Sequence, residues 1–112
     1  MARNFIQPGD VLTLTAPSGG VVSGTAYLIG GLLVVAQNTA AQGVAFEGRT
    51  VGVFTLPKAT GQTWSEGAKL YWDNTAKNLT TTASGNTLVG VATATAGSGN
   101  ASGSARLDGV AR

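Results

Sequence analysis

Residues 50–73 decide the fold, and they read TVGVFTLPKATGQTWSEGAKLYWD. Each end of this stretch is a short run rich in Val, Phe, Tyr or Trp, and the residues between include Gly, Thr, Gln and Ser. This pattern predicts a strand, a loop and a second strand. Pro57 has no N–H to give to a sheet, so the first strand should end there or lie on a sheet edge. Gly67 precedes the second strand, where a tight turn favours a residue without a Cβ.

The rest of the chain repeats this pattern of short strands and turns. Alternating apolar and polar residues at 10–16 predict a half-buried strand, and Gly30-Gly31 predicts a hairpin between residues 25–29 and 32–36. Further strands are expected at 44–47 and 50–56, around a break at Gly48-Arg49, and then at 69–73, 79–83, 87–96 and 104–107. About eight to ten short strands predict an all-β fold, either a small barrel or a sandwich. We expect one β-domain at residues 10–112 and an extended N-terminal arm at residues 1–9.

Two features inside the expected strands point to close packing. The run Leu32–Ala36 is apolar without alternation, so either both of its faces are covered or one face meets another subunit. Gly52 and Gly90 each interrupt an apolar run, which indicates a bulge or the close approach of another backbone. The candidate residues for the core or a subunit interface are Leu32, Val34, Phe54, Leu56, Tyr71 and Trp72.

Composition disfavours most chemical functions. The 112 residues include no Cys and no His, so thiolate metal sites and the usual general base are excluded. The five acidic residues are dispersed in the sequence and suggest no catalytic dyad. The Lys and Arg residues are scattered and the net charge is only +2, so we expect no nucleic-acid partner. No apolar run approaches the length of a membrane span. We therefore expect a soluble protein that is not an enzyme and has no cofactor, metal or membrane partner.

Glycine and aromatic residues leave one alternative function open. Gly61 and Gly67 are spaced one residue too far apart for a phosphate-binding Walker loop, and Leu70 follows Lys69 where Ser or Thr is needed. Trp64, Tyr71 and Trp72 could form a platform for a sugar, although such residues are more often core or interface anchors. The alternative is therefore a carbohydrate-binding β-module, which exposed rings would favour and buried rings would disfavour.

Taken together and in order, several segments resemble the small capsid cement, or head decoration, proteins of bacteriophages. The resemblance extends over nearly the whole chain. The similar segments are residues 2–7 (ARNFIQ), 15–17 (TAP), 22–24 (VSG), 52–58 (GVFTLPK), 67–73 (GAKLYWD), 85–92 (GNTLVGVA) and 106–107 (RL).

The resemblance implies a structural virion protein that is synthesised in the host cytoplasm and binds the outside of an icosahedral head. It implies a homotrimer over local threefold positions of the major capsid protein, bound after the shell expands and resisting the pressure of the packaged DNA. The N-terminal arm is the segment expected to touch the capsid, by adding a strand to the partner. The expected arm residues are Ala2, Arg3, Asn4, Phe5, Ile6 and Gln7.

Overall fold

The computed structural model describes residues 9–112, and in this range the chain forms β-strands and no helix. The predicted arm residues 2–7 lie outside the described residues, so the division into an arm and a β-domain stays a prediction. The described strands are β1 (Val11–Thr15), β2 (Ala26–Ile29), β3 (Leu32–Ala36), β4 (Ala45–Arg49), β5 (Val51–Pro57), β6 (Lys69–Asp73), β7 (Asn78–Thr80), β8 (Thr87–Ala92) and β9 (Ser102–Asp108).

The strands form two antiparallel sheets, which confirms the all-β prediction and identifies the sandwich as the correct architecture. The first sheet has the order β1-β4-β3-β2 and the second has the order β5-β9-β8-β6-β7. The chain passes from one sheet to the other at Thr50, which is buried. Its N–H donates to the carbonyl of Asp10 at 2.7 Å, and its hydroxyl donates to the carbonyl of Gly9 at 2.8 Å. These bonds fix the start of the described chain at the crossing between the sheets.

The second sheet curls until its two edge strands come together at one end. A bridge joins Lys58, just after β5, to Leu79 in β7, and the N–H of Ala59 donates to the carbonyl of Leu79 at 2.8 Å. Within residues 9–112 no strand lies on the outer side of the rest of β5, so these strands do not form a closed barrel.

Local turn chemistry was predicted correctly. Residues 26–29 and 32–35 pair as the expected hairpin, and Gly30 has a φ of 63°. Gly67 has a φ of 85° just before β6, and Pro57 is the last residue of the edge strand β5. Both positions therefore have the conformations that the sequence required.

The predicted break at Gly48-Arg49 was wrong, because β4 continues through both residues and the chain leaves the sheet at Thr50. Packing explains the glycine instead. A Cβ on Gly48 would lie 3.0 Å from the Cβ of Val34 on the neighbouring strand. Gly48 therefore makes room for a core residue and does not form a turn.

Strand β3 lies between two hydrophobic cores. Leu33 and Val35 belong to the larger core between the sheets, together with Trp64, Trp72 and other apolar residues of the second sheet. Val34 and Ala36 face the opposite way into a smaller core. Alternate residues of a strand face opposite sides of its sheet, so the absence of alternation in β3 follows from its having an apolar environment on each side.

The smaller core is covered by two loops on the outer side of the first sheet. Val21 and Ala40, one from each loop, pair as an isolated bridge, with the N–H of Val21 donating to Ala40 at 2.8 Å. Both residues are buried, together with Phe46 of β4. The loops thus cover the apolar outer face of this sheet.

Of the two glycines predicted to mark a bulge or a close backbone approach, Gly90 does so. Gly52 does not, because the register of β5 with β9 is continuous there and the nearest atoms to an added Cβ belong to the Phe54 ring. Gly103 makes a close contact that was not predicted. A Cβ on Gly90 would lie 1.9 Å from the carbonyl oxygen of Arg106 on β9, and one on Gly103 would lie 2.4 Å from the Trp64 ring. The register between β6 and β8 also shifts beside Gly90, between Leu70 and Tyr71. Gly90 therefore accompanies both a close backbone approach and an irregularity in the ladder.

Candidate interaction surfaces

The predicted core or interface residues separate into two groups. Val34, Leu56 and Trp72 are buried within the chain itself. Leu32 is half-buried against the smaller core and Phe54 is half-buried against the larger one. These five side chains already have apolar neighbours from their own chain.

Tyr71 differs from those five because it faces away from the larger core. Its neighbours Leu70 and Trp72 are buried in that core, so strand alternation places the half-buried Tyr71 on the outer face of the second sheet. Tyr71 therefore lies where a partner bound to the outer face of the second sheet would contact it.

The three aromatic residues proposed as a sugar platform do not form one. The side chain of Trp64 is 0% exposed and that of Trp72 is 2% exposed. The indole N–H of Trp72 donates to the side-chain oxygen of Asn74 at 3.1 Å. The described geometry therefore disfavours the carbohydrate-binding alternative in the form that the sequence suggested.

Lys58 is buried although it has no acidic partner. Its ammonium group donates to the carbonyl of Ala59 at 3.0 Å and to the carbonyl of Gln62, and it lies 5.8 Å from the centre of the Trp64 ring. A buried ammonium group needs such acceptors, because desolvation without them is costly. Lys58 thus anchors the loop after β5 and has no free position from which to act on a substrate.

An open groove of about 350 Å³ lies between β2 and the end of the second sheet. Residues 25–28 form one wall, and Pro57 and Trp72 contribute to the other. Asn74 and Lys77 add polar groups at the β6–β7 turn, where the Lys77 ammonium group donates to Asn74 at 2.9 Å. The volume lies within the range of small-ligand pockets, but these groups show no catalytic arrangement.

The outer face of the second sheet carries a row of four side chains across neighbouring strands. The register aligns Val53 of β5 with Arg106 of β9, then with Val91 of β8 and Lys69 of β6. Val53 is 59% exposed, and Arg106 and Lys69 are exposed. Within residues 9–112 the ion pair formed is Asp108–Arg112, so neither cation in this row has an acidic partner. The sequence could not show this surface, since the row depends on the register of strands far apart in the chain.

The Asp108–Arg112 pair joins the end of β9 to the last residue, with a closest N–O distance of 3.0 Å. Partial burial raises the pKa of Asp108. Hydrogen bonds from Arg112 and from the N–H of Val110 lower this pKa, as does the positive charge of the Arg112 guanidinium, and together they outweigh the effect of burial. The pKa of Asp108 is therefore below its ordinary value of 3.8. Arg112 also donates to the carbonyls of Leu88 and Gly31, so this pair helps to hold both sheets together at one end.

Two kinds of functional feature are absent from the described residues. Over residues 9–112, no three side chains with metal-binding groups come together. The same range contains no helix long and apolar enough to cross a bilayer. What the described part of the molecule offers is a set of surfaces: a groove, an open strand edge and a sheet face with unpaired cations.

These features define a small β-sandwich whose exposed groups are suited to contact with another macromolecule. Comparison with known families makes the class specific. The family of phage cement proteins matches residues 6–107 of the 112-residue chain. The chain belongs to the phage cement protein family, and it is therefore a structural protein of the phage capsid, as the sequence resemblance predicted. No curated protein and no solved structure matches the chain.

Proposed function

We propose that this protein binds the outside of an icosahedral phage head and stabilises the lattice of the major capsid protein without catalysing a reaction. The observation that carries the proposal is the match of residues 6–107 to the phage cement protein family. The surfaces support it, because the described chain offers an open strand edge and an exposed apolar and cationic face in place of a catalytic cleft.

We further propose that three copies bind together over local threefold positions of the capsid. A subunit of 112 residues offers limited area for any one contact. Linking three contacts raises the effective concentration of the second and third once the first has formed, so avidity exceeds the affinity of one subunit. Such a trimer would hold neighbouring capsid subunits together against internal pressure.

The N-terminal arm, residues 2–7, is proposed as a further contact with the capsid. Its sequence combines the large apolar side chains of Phe5 and Ile6 with polar neighbours. A short extended segment of this composition can add to the edge of a partner sheet, with main-chain hydrogen bonds supplying affinity and the apolar side chains supplying specificity.

Co-sedimentation with phage heads tests the function. Purified protein is mixed with expanded heads that lack it, and in parallel with unexpanded heads, and bound protein is measured after centrifugation. We expect binding to expanded heads, together with a higher pressure or temperature threshold for DNA release. Absence of binding to expanded heads would contradict the proposed function. The mass of the free protein in solution tests the trimer separately.

Deleting residues 2–7 tests the arm. We expect a folded protein with weaker binding to expanded heads, because residues 9–112 contain both hydrophobic cores. Replacing Phe5 and Ile6 with Ser in the full-length chain is the matched control for length. Undiminished binding by the deleted protein would remove the arm from the proposal and leave head binding intact.

A further inference from the structure

Strand β5 presents an open sheet edge that carries no charge. Its residues Val51–Pro57 read VGVFTLP, and among the described residues 9–112 the strand that pairs along β5 is β9, on one side. Natural proteins usually protect such edges with charged side chains, bulges or a covering segment, because unpaired backbone groups attract further strands. Here Pro57 closes the edge at one end, and no strand of the described residues 9–112 covers the positions before it.

The hydrogen-bond pattern shows which backbone groups face outward. The N–H of Lys58 donates to the carbonyl of Ala101 at 2.8 Å, which continues the pairing of β5 with β9. In an antiparallel ladder, residues that bond to the neighbour alternate with residues that do not. Val53 and Thr55 therefore direct their N–H and C=O groups away from β9, toward the side where the described part of the chain places no strand. These groups could bond to a partner in extended conformation.

The side chains beside this edge indicate the composition of that partner. On the inner face the half-buried Phe54 borders the larger core, so an added strand would place an apolar residue beside it. On the outer face the exposed Val53 lies next to Arg106, one strand further in. An added strand would lie about 10 Å from β9, which is two strand spacings. A Glu or Asp side chain on it could reach the Arg106 guanidinium, which has no ion-pair partner among the described residues.

We propose that the β5 edge binds an extended segment of the major capsid protein in which apolar residues alternate with acidic or small polar residues. The segment adds as a sixth strand to the second sheet, bonding to Val53 and Thr55. Its outward acidic residues face Arg106, which lies two strands away on β9. This inference rests on the proposed function for the identity of the partner, and on the strand geometry for the site.

Substitutions at the edge test the proposal in a co-sedimentation titration with expanded heads. Thr55→Pro removes an outward N–H and leaves the bonds to β9 intact, and proline is tolerated on sheet edges. Thr55→Val keeps that N–H and serves as the matched control. Arg106→Glu reverses the charge beside the edge, and Lys77→Glu makes the same change away from this sheet face. We expect about a tenfold or greater loss of affinity for Thr55→Pro and Arg106→Glu, near-normal binding for the two controls, and a smaller Arg106→Glu effect at high salt.

A measurement on the unaltered protein keeps the test valid if a variant fails to fold. Hydrogen exchange of the Val53 and Thr55 amides should slow in head-bound protein relative to free protein, because a partner strand would protect them. If wild-type protein does not bind heads, the proposed function has failed. If it binds while Thr55→Pro binds like Thr55→Val, or those amides stay unprotected, the edge proposal alone is overturned. If Thr55→Pro instead dissociates the oligomer in solution, the edge joins copies of this chain and the capsid segment is excluded.

Discussion

Replacing Gly90 with Ala should destabilise the protein strongly. The added Cβ would lie 1.9 Å from the carbonyl oxygen of Arg106 and 2.9 Å from its carbonyl carbon. Ordinary van der Waals contact begins near 3.4 Å, so the oxygen would have to move by about 1.5 Å. Both obstructing atoms belong to the backbone of the central strand β9, which cannot rotate away as a flexible side chain could.

The magnitude follows from two contributions. Overpacking a well-packed site costs roughly 1–3 kcal/mol, and separating β8 from β9 weakens a ladder hydrogen bond worth about 1 kcal/mol. We therefore expect Gly90→Ala to lower the free energy of unfolding by about 2–4 kcal/mol. With a urea dependence of about 2 kcal/mol per M, in the middle of the range for small proteins, the midpoint should fall by roughly 1–2 M.

Urea unfolding followed by far-ultraviolet circular dichroism provides the measurement. Gly97→Ala is the matched control, because a Cβ at Gly97 would meet no heavy atom within 4 Å. We expect its free energy of unfolding to stay within about 0.5 kcal/mol of the wild-type value, since substitutions at exposed positions rarely change it more. Equal midpoints for the two variants would refute the conclusion that Gly90 is required for the approach of β9.

Three further predictions concern side chains. Asp108→Asn should lower the melting temperature at neutral pH. Because the folded-state pKa of Asp108 is depressed, its stabilising contribution is present above pH 3.8 and is lost as pH falls through the lower folded-state value. The difference in melting temperature between the variant and wild type should therefore shrink at that low pH. A difference in melting temperature that does not depend on pH would contradict this. Lys58→Met should cost about 1–3 kcal/mol in a urea titration, because it leaves buried carbonyls unpaired, whereas Lys77→Met should be nearly neutral; equal effects would contradict the anchoring role of Lys58. Acrylamide should quench Trp64 and Trp72 fluorescence weakly, and added sugars should not quench it; strong quenching by a sugar would revive the carbohydrate alternative.

Local features of the fold could be predicted from the sequence because their causes are local. Gly30 and Gly67 supply positive φ angles that other residues rarely adopt, and Pro57 lacks the N–H that an interior strand needs. Each of these residues restricts its own backbone or that of its nearest neighbours. The turns at these residues were therefore predicted at their observed positions, whereas the strands expected at 79–83 and 87–96 end earlier, at Thr80 and Ala92.

Long-range pairing could not be predicted, because no local pattern encodes it. The first and second strands of the 50–73 stretch, β5 and β6, are not neighbours in the second sheet, where β9 and β8 separate them. The same limitation hid the break at Thr50, where the chain changes sheet. Gly48 was interpreted as a turn residue because its actual role, packing against Val34 on the neighbouring strand, cannot be seen in the local sequence.

The functional class could be predicted from the sequence, but the residues of the exposed surface could not. The resemblance of several segments to phage cement proteins correctly indicated a structural phage protein, and the family match supports that class. The row from Val53 to Lys69 was missed, because it joins residues from separate parts of the chain. The proposed arm at residues 2–7 lies outside the described residues and stays a prediction.

The position of β3 has a consequence for how the molecule comes apart. One strand contributes alternate side chains to both cores, with Leu33 and Val35 on one side and Val34 and Ala36 on the other. Withdrawing β3 would remove packing from both at once, so neither core can melt while the other stays intact. Calorimetry of the isolated subunit should therefore record a single heat-absorption peak. A partly unfolded state would therefore be rare, and the unbound subunit would seldom expose its apolar core residues.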